Sequence, residues 1–147
     1  MASAGEPPGL GSWSPDLESF VYGLEGTGDL DQIFVVKADG SESVNVSGDE
    51  GNNTEFSSSP DSRRLLFVSD RTGNSKIFSV RSNGDDLKQL TSNSAEEDEP
   101  HWSNDGSQIL FFSDASGEGD IFTMNADGSN QRRISPSSSI CEHLADW

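Results

Sequence analysis

Four oxygen-bearing side chains at alternate positions, Asp114, Ser116, Glu118 and Asp120, with Gly119 in the sixth place, form the segment nearest to a metal-site pattern in this sequence. Calcium loops use alternate oxygen ligands and a glycine at the sharp turn, so calcium is the cofactor such a segment would hold. The twelfth place, where a closing acid is expected, is Asn125, and no flanking helices are predicted. The same residues also read as a plain turn in which Asp114 accepts backbone N–H bonds, and the matching stretch from Asp70 to Asn74 lacks most of the acids.

Two further groups could do chemistry. Cys141 and His143 stand two apart, on one face of a strand, where an imidazole could activate a thiol. They also fit an ordinary variable linker. Glu96, Glu97, Asp98 and Glu99 make the densest acidic run, just before His101 and Trp102. Such a run is either a solvated loop or a cation-attracting rim that, with His101, steers a neutral or basic peptide.

Hydrolase and nucleotide chemistry find no footing. No Gly-x-Ser-x-Gly occurs, and the glycine pairs Gly26/Gly28 and Gly117/Gly119 lack the third glycine and the following helix of a phosphate-cradling loop. The chain is read as not an enzyme. Its formal charge of −17 argues against nucleic acid and anionic membranes as partners, because like charges repel. Asn45-Val-Ser47 and Asn52-Asn-Thr54 are acceptor sequons that matter only in a eukaryotic secretory setting. A single cysteine permits no intrachain disulfide and fits the cytosol. Residues 1–9 lack the basic and apolar regions of a secretory signal, and no stretch approaches the roughly 20 apolar residues of a membrane span. The chain reads as soluble.

The elements that must position these groups repeat. Ile33-Phe34, Ile77-Phe78 and Ile121-Phe122 recur every 44 residues, and Asp39-Gly40, Asn83-Gly84 and Asp127-Gly128 recur in the same phase. Trp13-Ser-Pro-Asp16, Ser58-Ser-Pro-Asp61 and Trp102-Ser-Asn-Asp105 form a third register, and Trp147 would open a fourth. Periods of about 40 to 50 residues mark propeller blades. Phe20–Tyr22, Leu65–Val68 and Ile109–Phe112 are unbroken apolar runs, as expected of strands covered on both faces. The Ile-Phe strands follow, each ended by an Asp-Gly or Asn-Gly pair whose positive φ angles close a tight hairpin. A half-exposed outer strand comes next, and a fourth strand leads into each Trp-Ser-Pro-Asp position. No helix is predicted.

The run from Trp102 to Asp114, followed by Gly119 to Ser129, resembles the propeller repeat of the TolB family. The second repeat is similar through Ser59–Asp61, Leu65–Asn74 and Ile77-Phe78, although Ser58 replaces the usual Trp, and the first has Leu24-Glu25 where Ser-Asp is expected. The resemblance implies an all-β chain of four-stranded antiparallel blades. Residues 1–11 read as a flexible tail, and the blades as 12–55, 56–99 and 100–147, the last including the start of the next blade. It also implies a non-catalytic scaffold that binds a protein or peptide, with a periplasmic setting by analogy. Two alternatives remain: the propeller portion of a larger serine peptidase or other hydrolase, and a calcium- or glycan-binding propeller. Three blades do not close a ring, since propellers use about four to eight. The expectation is a homodimeric six-bladed ring, or a fragment of a longer propeller.

Overall fold

The computed structural model describes residues 9–25, 30–117 and 119–135. Among them the strands are β1 (Gly9–Trp13), β2 (Ser19–Glu25), β3 (Asp31–Lys37), β4 (Val44–Asn45), β5 (Asn53–Ser58), β6 (Arg64–Ser69), β7 (Lys76–Arg81), β8 (Lys88–Gln89), β9 (Glu97–Trp102), β10 (Gln108–Ser113), β11 (Asp120–Asn125) and β12 (Arg132–Arg133). They form three antiparallel meanders, β1 to β4, β5 to β8 and β9 to β12. The described residues contain no helix, and so none long and apolar enough to cross a membrane.

Each sheet starts with the strand that runs into the Trp position, because that strand pairs forward onto the apolar run: Trp13 faces Phe20, Ser58 faces Leu65 and Trp102 faces Ile109. Blade limits at 55/56 and 99/100 therefore cut through β5 and β9. Residues 9–11, read as tail, belong to β1. The rest of that tail, together with Glu118, Cys141, His143 and Trp147, lies outside the described residues.

The apolar runs are unbroken because both faces are covered. Leu65 and Phe67 of β6, with Phe78 and Val80 of β7, pack on Val21, Ile33, Val35 and Val46 of the first sheet. Leu66 and Ile77, the alternate residues, turn the other way and pack with Leu90 on Trp102, Ile109, Phe111 and Met124 of the third sheet. One pair of strands thus serves two cores, as face-to-face packing of blades requires. A stacked aromatic pair marks every sheet: Tyr22–Phe34, Phe67–Phe78 and Phe111–Phe122, each with centroids 5.7 Å apart. In the second sheet this pair is buried against the preceding sheet. In the first sheet it is half-buried and continues through Phe20 to Trp13 as an aromatic row.

The Ser-x-Asp recurrence is a turn device. Ser14, Ser59 and Ser103 each donate a hydroxyl hydrogen bond to the aspartate two residues on, at 2.6, 2.6 and 2.7 Å. The same hydroxyls accept the N–H of Ser19, Arg64 and Gln108, while the carboxylates accept that of Glu18, Arg63 and Ser107. These bonds favour the ionised acids. Ser14 holds Asp16 and Ser59 holds Asp61 below the ordinary range, and Ser107, with help from Ser103, lowers Asp105 to about 2.

The second hairpin differs from expectation. Gly40, Gly84 and Gly128 have φ of 82°, 90° and 87°, but Asp39, Asn83 and Asp127 are not at positive φ. Each glycine N–H bonds the carbonyl three residues back, so the loop is a three-residue turn with a left-handed glycine rather than a two-residue turn with two positive φ angles. The preceding side chain instead accepts the N–H two residues on, in Ser41, Asp85 and Ser129. A β-carbon at Gly128 would lie 2.9 Å from the Leu90 carbonyl oxygen, whereas one at Gly40 meets nothing within 4 Å. Gly128→Val is accordingly expected to cost about 1–3 kcal/mol more than Gly40→Val, from overpacking added to a shared left-handed strain. Equal losses in denaturation midpoint would contradict this packing.

Candidate functional site

The meanders place the β1/β2 and β3/β4 turns and their equivalents at one end of the blades, the turn end. The 46–53, 69–76, 91–98 and 113–120 connections lie at the other, the loop end. Among described residues the loop-end segments carry Asp49, Glu50, Asp70, Glu96, Glu97, Asp98, Asp114 and Asp120, with only Arg71 and Lys76 as cations. Both cations turn inward. Arg71 donates to the Ser47 carbonyl at 2.6 Å, to Asn53 Oδ1 at 2.7 Å and to Ser69 Oγ at 2.9 Å, and its guanidinium stacks over Phe78 at 4.9 Å. Lys76 is buried, donates to the carbonyls of Ser75 and Ala95, and lies 4.0 Å from Glu97 Oε2. The outward field at this end is negative.

Three residues of the acidic run, Glu97, Asp98 and Glu99, lie in a strand rather than a solvated loop. Glu97 to Trp102 form β9, whose alternation sends successive residues to different surroundings. Glu97 is fully buried between the second and third blades, where Asn93 donates to its Oε1 at 2.7 Å; burial raises its pKa. Glu96 is exposed and accepts the Ser75 N–H at 2.7 Å. Asp98 is half-buried, and its carboxyl is held above the ordinary range by burial, then by the charges of Glu55, Glu96, Glu99 and Asp114. A bulge sets Glu99 and Pro100 against Phe111, just as Glu55 and Phe56 oppose Phe67 in β5. Both glutamates sit at positive φ, 51° for Glu55 and 50° for Glu99, and Glu55 Oε2 accepts the Glu99 N–H at 2.6 Å, tying neighbouring blades together.

Glu55 is the residue the sequence reading missed. Its signal is the period, since Gly11, Glu55 and Glu99 are 44 residues apart. Beside it, a cavity of about 430 Å³ is lined by Gly11, Ser12, Thr54, Glu55 and Phe56. That is a carboxylate next to an aromatic floor, a combination that suits the stem and charged head of a lysine or arginine.

His101 lies apart from this cluster. It lines a concavity of about 430 Å³ with Pro15, Ser57, Ser58, Pro60 and Trp102, and no hydrogen bond joins it to a serine among the described residues. The calcium segment divides. Asp114 Oδ1 accepts the Glu96 N–H at 2.8 Å, a bond to the neighbouring strand rather than to its own turn. Ser116 donates to Asp120, which also accepts from Ser135 at 2.6 Å and pairs with Arg133 at 3.1 Å. No cluster of three or more metal-ligating His, Cys, Asp or Glu occurs among the described residues.

Opposed pKa shifts give stability a defined pH dependence. Glu97 and Asp98 are raised, so folding gains stability as pH falls from neutral through their raised values. Asp16, Asp39, Asp61, Asp86, Asp105, Asp120 and Asp127 are lowered, so their stabilisation is present above the ordinary aspartate pKa and is lost as pH falls through the lowered ones. Thermal unfolding should therefore show maximal stability at mildly acidic pH; a monotonic rise from there to pH 8 would contradict the burial of Glu97.

Residues 73–143 match the family described as TolB beta propeller domain. The fold is similar to a protein assigned as TolB in Agrobacterium tumefaciens, with TM-score 0.74, 28% identity, and coverage of 82% of this chain and 46% of that one. TolB from Acinetobacter baumannii gives TM-score 0.76 at 23% identity over 91% of this chain and 33% of that one. The tricorn protease gives TM-score 0.64 at 20% identity over 85% of this chain and 12% of that one. The chain spans less than half the length of each. No curated protein matches it.

Proposed function

Because the chain is built of TolB-like β-propeller repeats, we propose that it is a non-catalytic protein-binding module whose first strands β5 and β9, on their loop-end side at Glu55, Asp98 and Glu99, receive a neutral or basic segment of a partner protein. The observation that carries the reading is the half-buried Asp98 of β9, which has Glu55 of β5, Glu96, Glu99 and Asp114 around it and whose pKa burial and those charges raise. Like charges gathered where Arg71 and Lys76, the cations of the described loop-end segments, both turn inward favour a ligand that brings a positive charge. The cavity beside Glu55 supplies the apolar contact that a basic side chain needs.

A cationic segment stabilises ionised Asp98 and displaces its proton, so affinity should rise several-fold as pH increases through the raised pKa. Asp98→Asn should flatten that rise. Titration of a labelled lysine-containing peptide from mildly acidic to neutral pH checks it; an unaltered profile in the variant removes Asp98 from the site. The second reading, a propeller attached to a hydrolase, draws on the likeness to the tricorn protease and to prolyl endopeptidases. A coding sequence that continues past Trp147 into Gly-x-Ser-x-Gly would favour it.

A further inference from the structure

The turn end of the middle blade has the opposite charge balance. A concavity of about 740 Å³ opens there, with Ser62, Arg63, Arg64, Arg81, Ser82 and Asn83 in its wall. Arg64 is fixed by Asp86: one guanidinium nitrogen donates to Asp86 Oδ2 at 2.8 Å, and the other donates to the Asp86 carbonyl at 3.0 Å and to Ser79 Oγ at 2.9 Å. Arg81 and Lys88 approach the same carboxylate at 3.9 and 3.4 Å. Three cations thus share one internal acid. The Arg63 guanidinium makes no hydrogen bond and no ion pair within 4.0 Å among the described residues, although its charge helps to lower the Asp61 pKa. Asp16 and Asp61, also in the wall, have their carboxylates taken up by Ser14 and Ser59 and by backbone N–H groups.

We propose that this pocket binds a single oxyanion group, a carboxylate or a phosphate, through Arg63 and Arg81, with Asp86 as the internal competitor for the same cations. Three of the chain's nine cations, Arg63, Arg64 and Arg81, line the concavity against two acids, Asp16 and Asp61, so positive charge is in excess in its wall although the chain as a whole is at −17. Crowding like charges on an exposed surface is unfavourable unless an anion relieves it, and guanidinium forks match the planar oxygens of carboxylate and phosphate. The overall negative field repels a polyanion at range, so the ligand carries one anionic group on an otherwise uncharged body. The site lies at the end of the blades opposite Glu55 and Asp98 and does not depend on the function proposed for them.

The test is a chemical-shift titration of the full chain at low ionic strength, following backbone N–H and arginine Nε–H signals, with inorganic phosphate and separately with acetate. Saturable shifts at residues 62–64 and 81–83 are expected, with affinity at least ten-fold lower in Arg63→Gln/Arg81→Gln and several-fold higher in Asp86→Asn. Saturation by phosphate alone, by acetate alone or by both identifies the source of the oxyanion. Arg63 and Arg81 are exposed, so the double variant should keep the parent unfolding midpoint, which separates loss of binding from loss of fold. No saturable shift with either anion, shifts that persist in the double variant, or unchanged affinity in Asp86→Asn would overturn the proposal.

Discussion

Replacing Lys76 by Met is expected to destabilise the chain by about 3–5 kcal/mol at neutral pH, because it leaves the Glu97 carboxylate buried without its counter-charge. Glu97 is fully buried, its Oε2 has no hydrogen-bond partner, and Lys76 Nζ at 4.0 Å is its compensating charge. The variant also strips a donor from the carbonyls of Ser75 and Ala95. The loss should shrink on acidification, since protonated Glu97 no longer needs the cation and burial already raises its pKa. Lys76→Met combined with Glu97→Leu should recover most of the stability, as apolar replacements of buried ion pairs commonly do. Denaturant midpoints of the single and double variants at two pH values check this. A single variant as stable as the parent would show that the second and third blades do not meet through this pair.

Trp102→Ala should cost about 3–5 kcal/mol through the cavity it opens between the second and third blades. The indole packs with Leu66, Ile77, Leu90, Ile109, Phe111 and Met124, and is 9% exposed. Trp102→Phe should cost far less, because the indole Nε1 has no hydrogen-bond partner and its removal leaves no acceptor stranded. Equal losses for Ala and Phe would mean that the indole nitrogen, rather than the ring volume, holds the blades together.

The blades were legible in the sequence because everything that makes them recurs. The Ile-Phe pairs, the glycine turns and the Trp-Ser-Pro-Asp stretches each serve one local role, and a role repeated three times in phase leaves little choice of architecture. What repeats in place but changes in identity was hidden. Gln32, Lys76 and Asp120 occupy one position, and only Lys76 has an acid opposite it in the next blade among the described residues, so neighbouring carboxylates gave no hint that Glu97 is buried while Glu96 is exposed. The strand leading into Trp102 was expected, but it begins earlier than its polar composition suggests, at Glu97, so that Asp98 lies within it rather than in a loop. Its burial comes from neighbouring blades, not from its own pattern. The same rule hid Ser47, Thr91 and Ser135, whose hydroxyls accept the N–H of Ile33, Ile77 and Ile121 and anchor the start of each third strand. The turn type was missed for another reason: Asp-Gly and Asn-Gly pairs suit two hairpin geometries, and the hydrogen bonds from Ser41, Asp85 and Ser129 select the three-residue one.

A generic attraction of cations to a chain of charge −17 must be separated from a built site at the loop end. The direct measurement is fluorescence anisotropy of a labelled lysine-containing peptide against three proteins: the parent, Glu55→Gln/Asp98→Asn/Glu99→Gln at the loop end, and Asp39→Asn/Glu42→Gln/Asp127→Asn at the turn end. The two triple variants remove the same charge, and the amide introduced by Glu55→Gln keeps an oxygen to accept the Glu99 backbone N–H. At least a ten-fold loss of affinity is expected in the loop-end variant and less than a two-fold loss in the turn-end variant. Equal losses in the two would contradict a binding site at Glu55, Asp98 and Glu99.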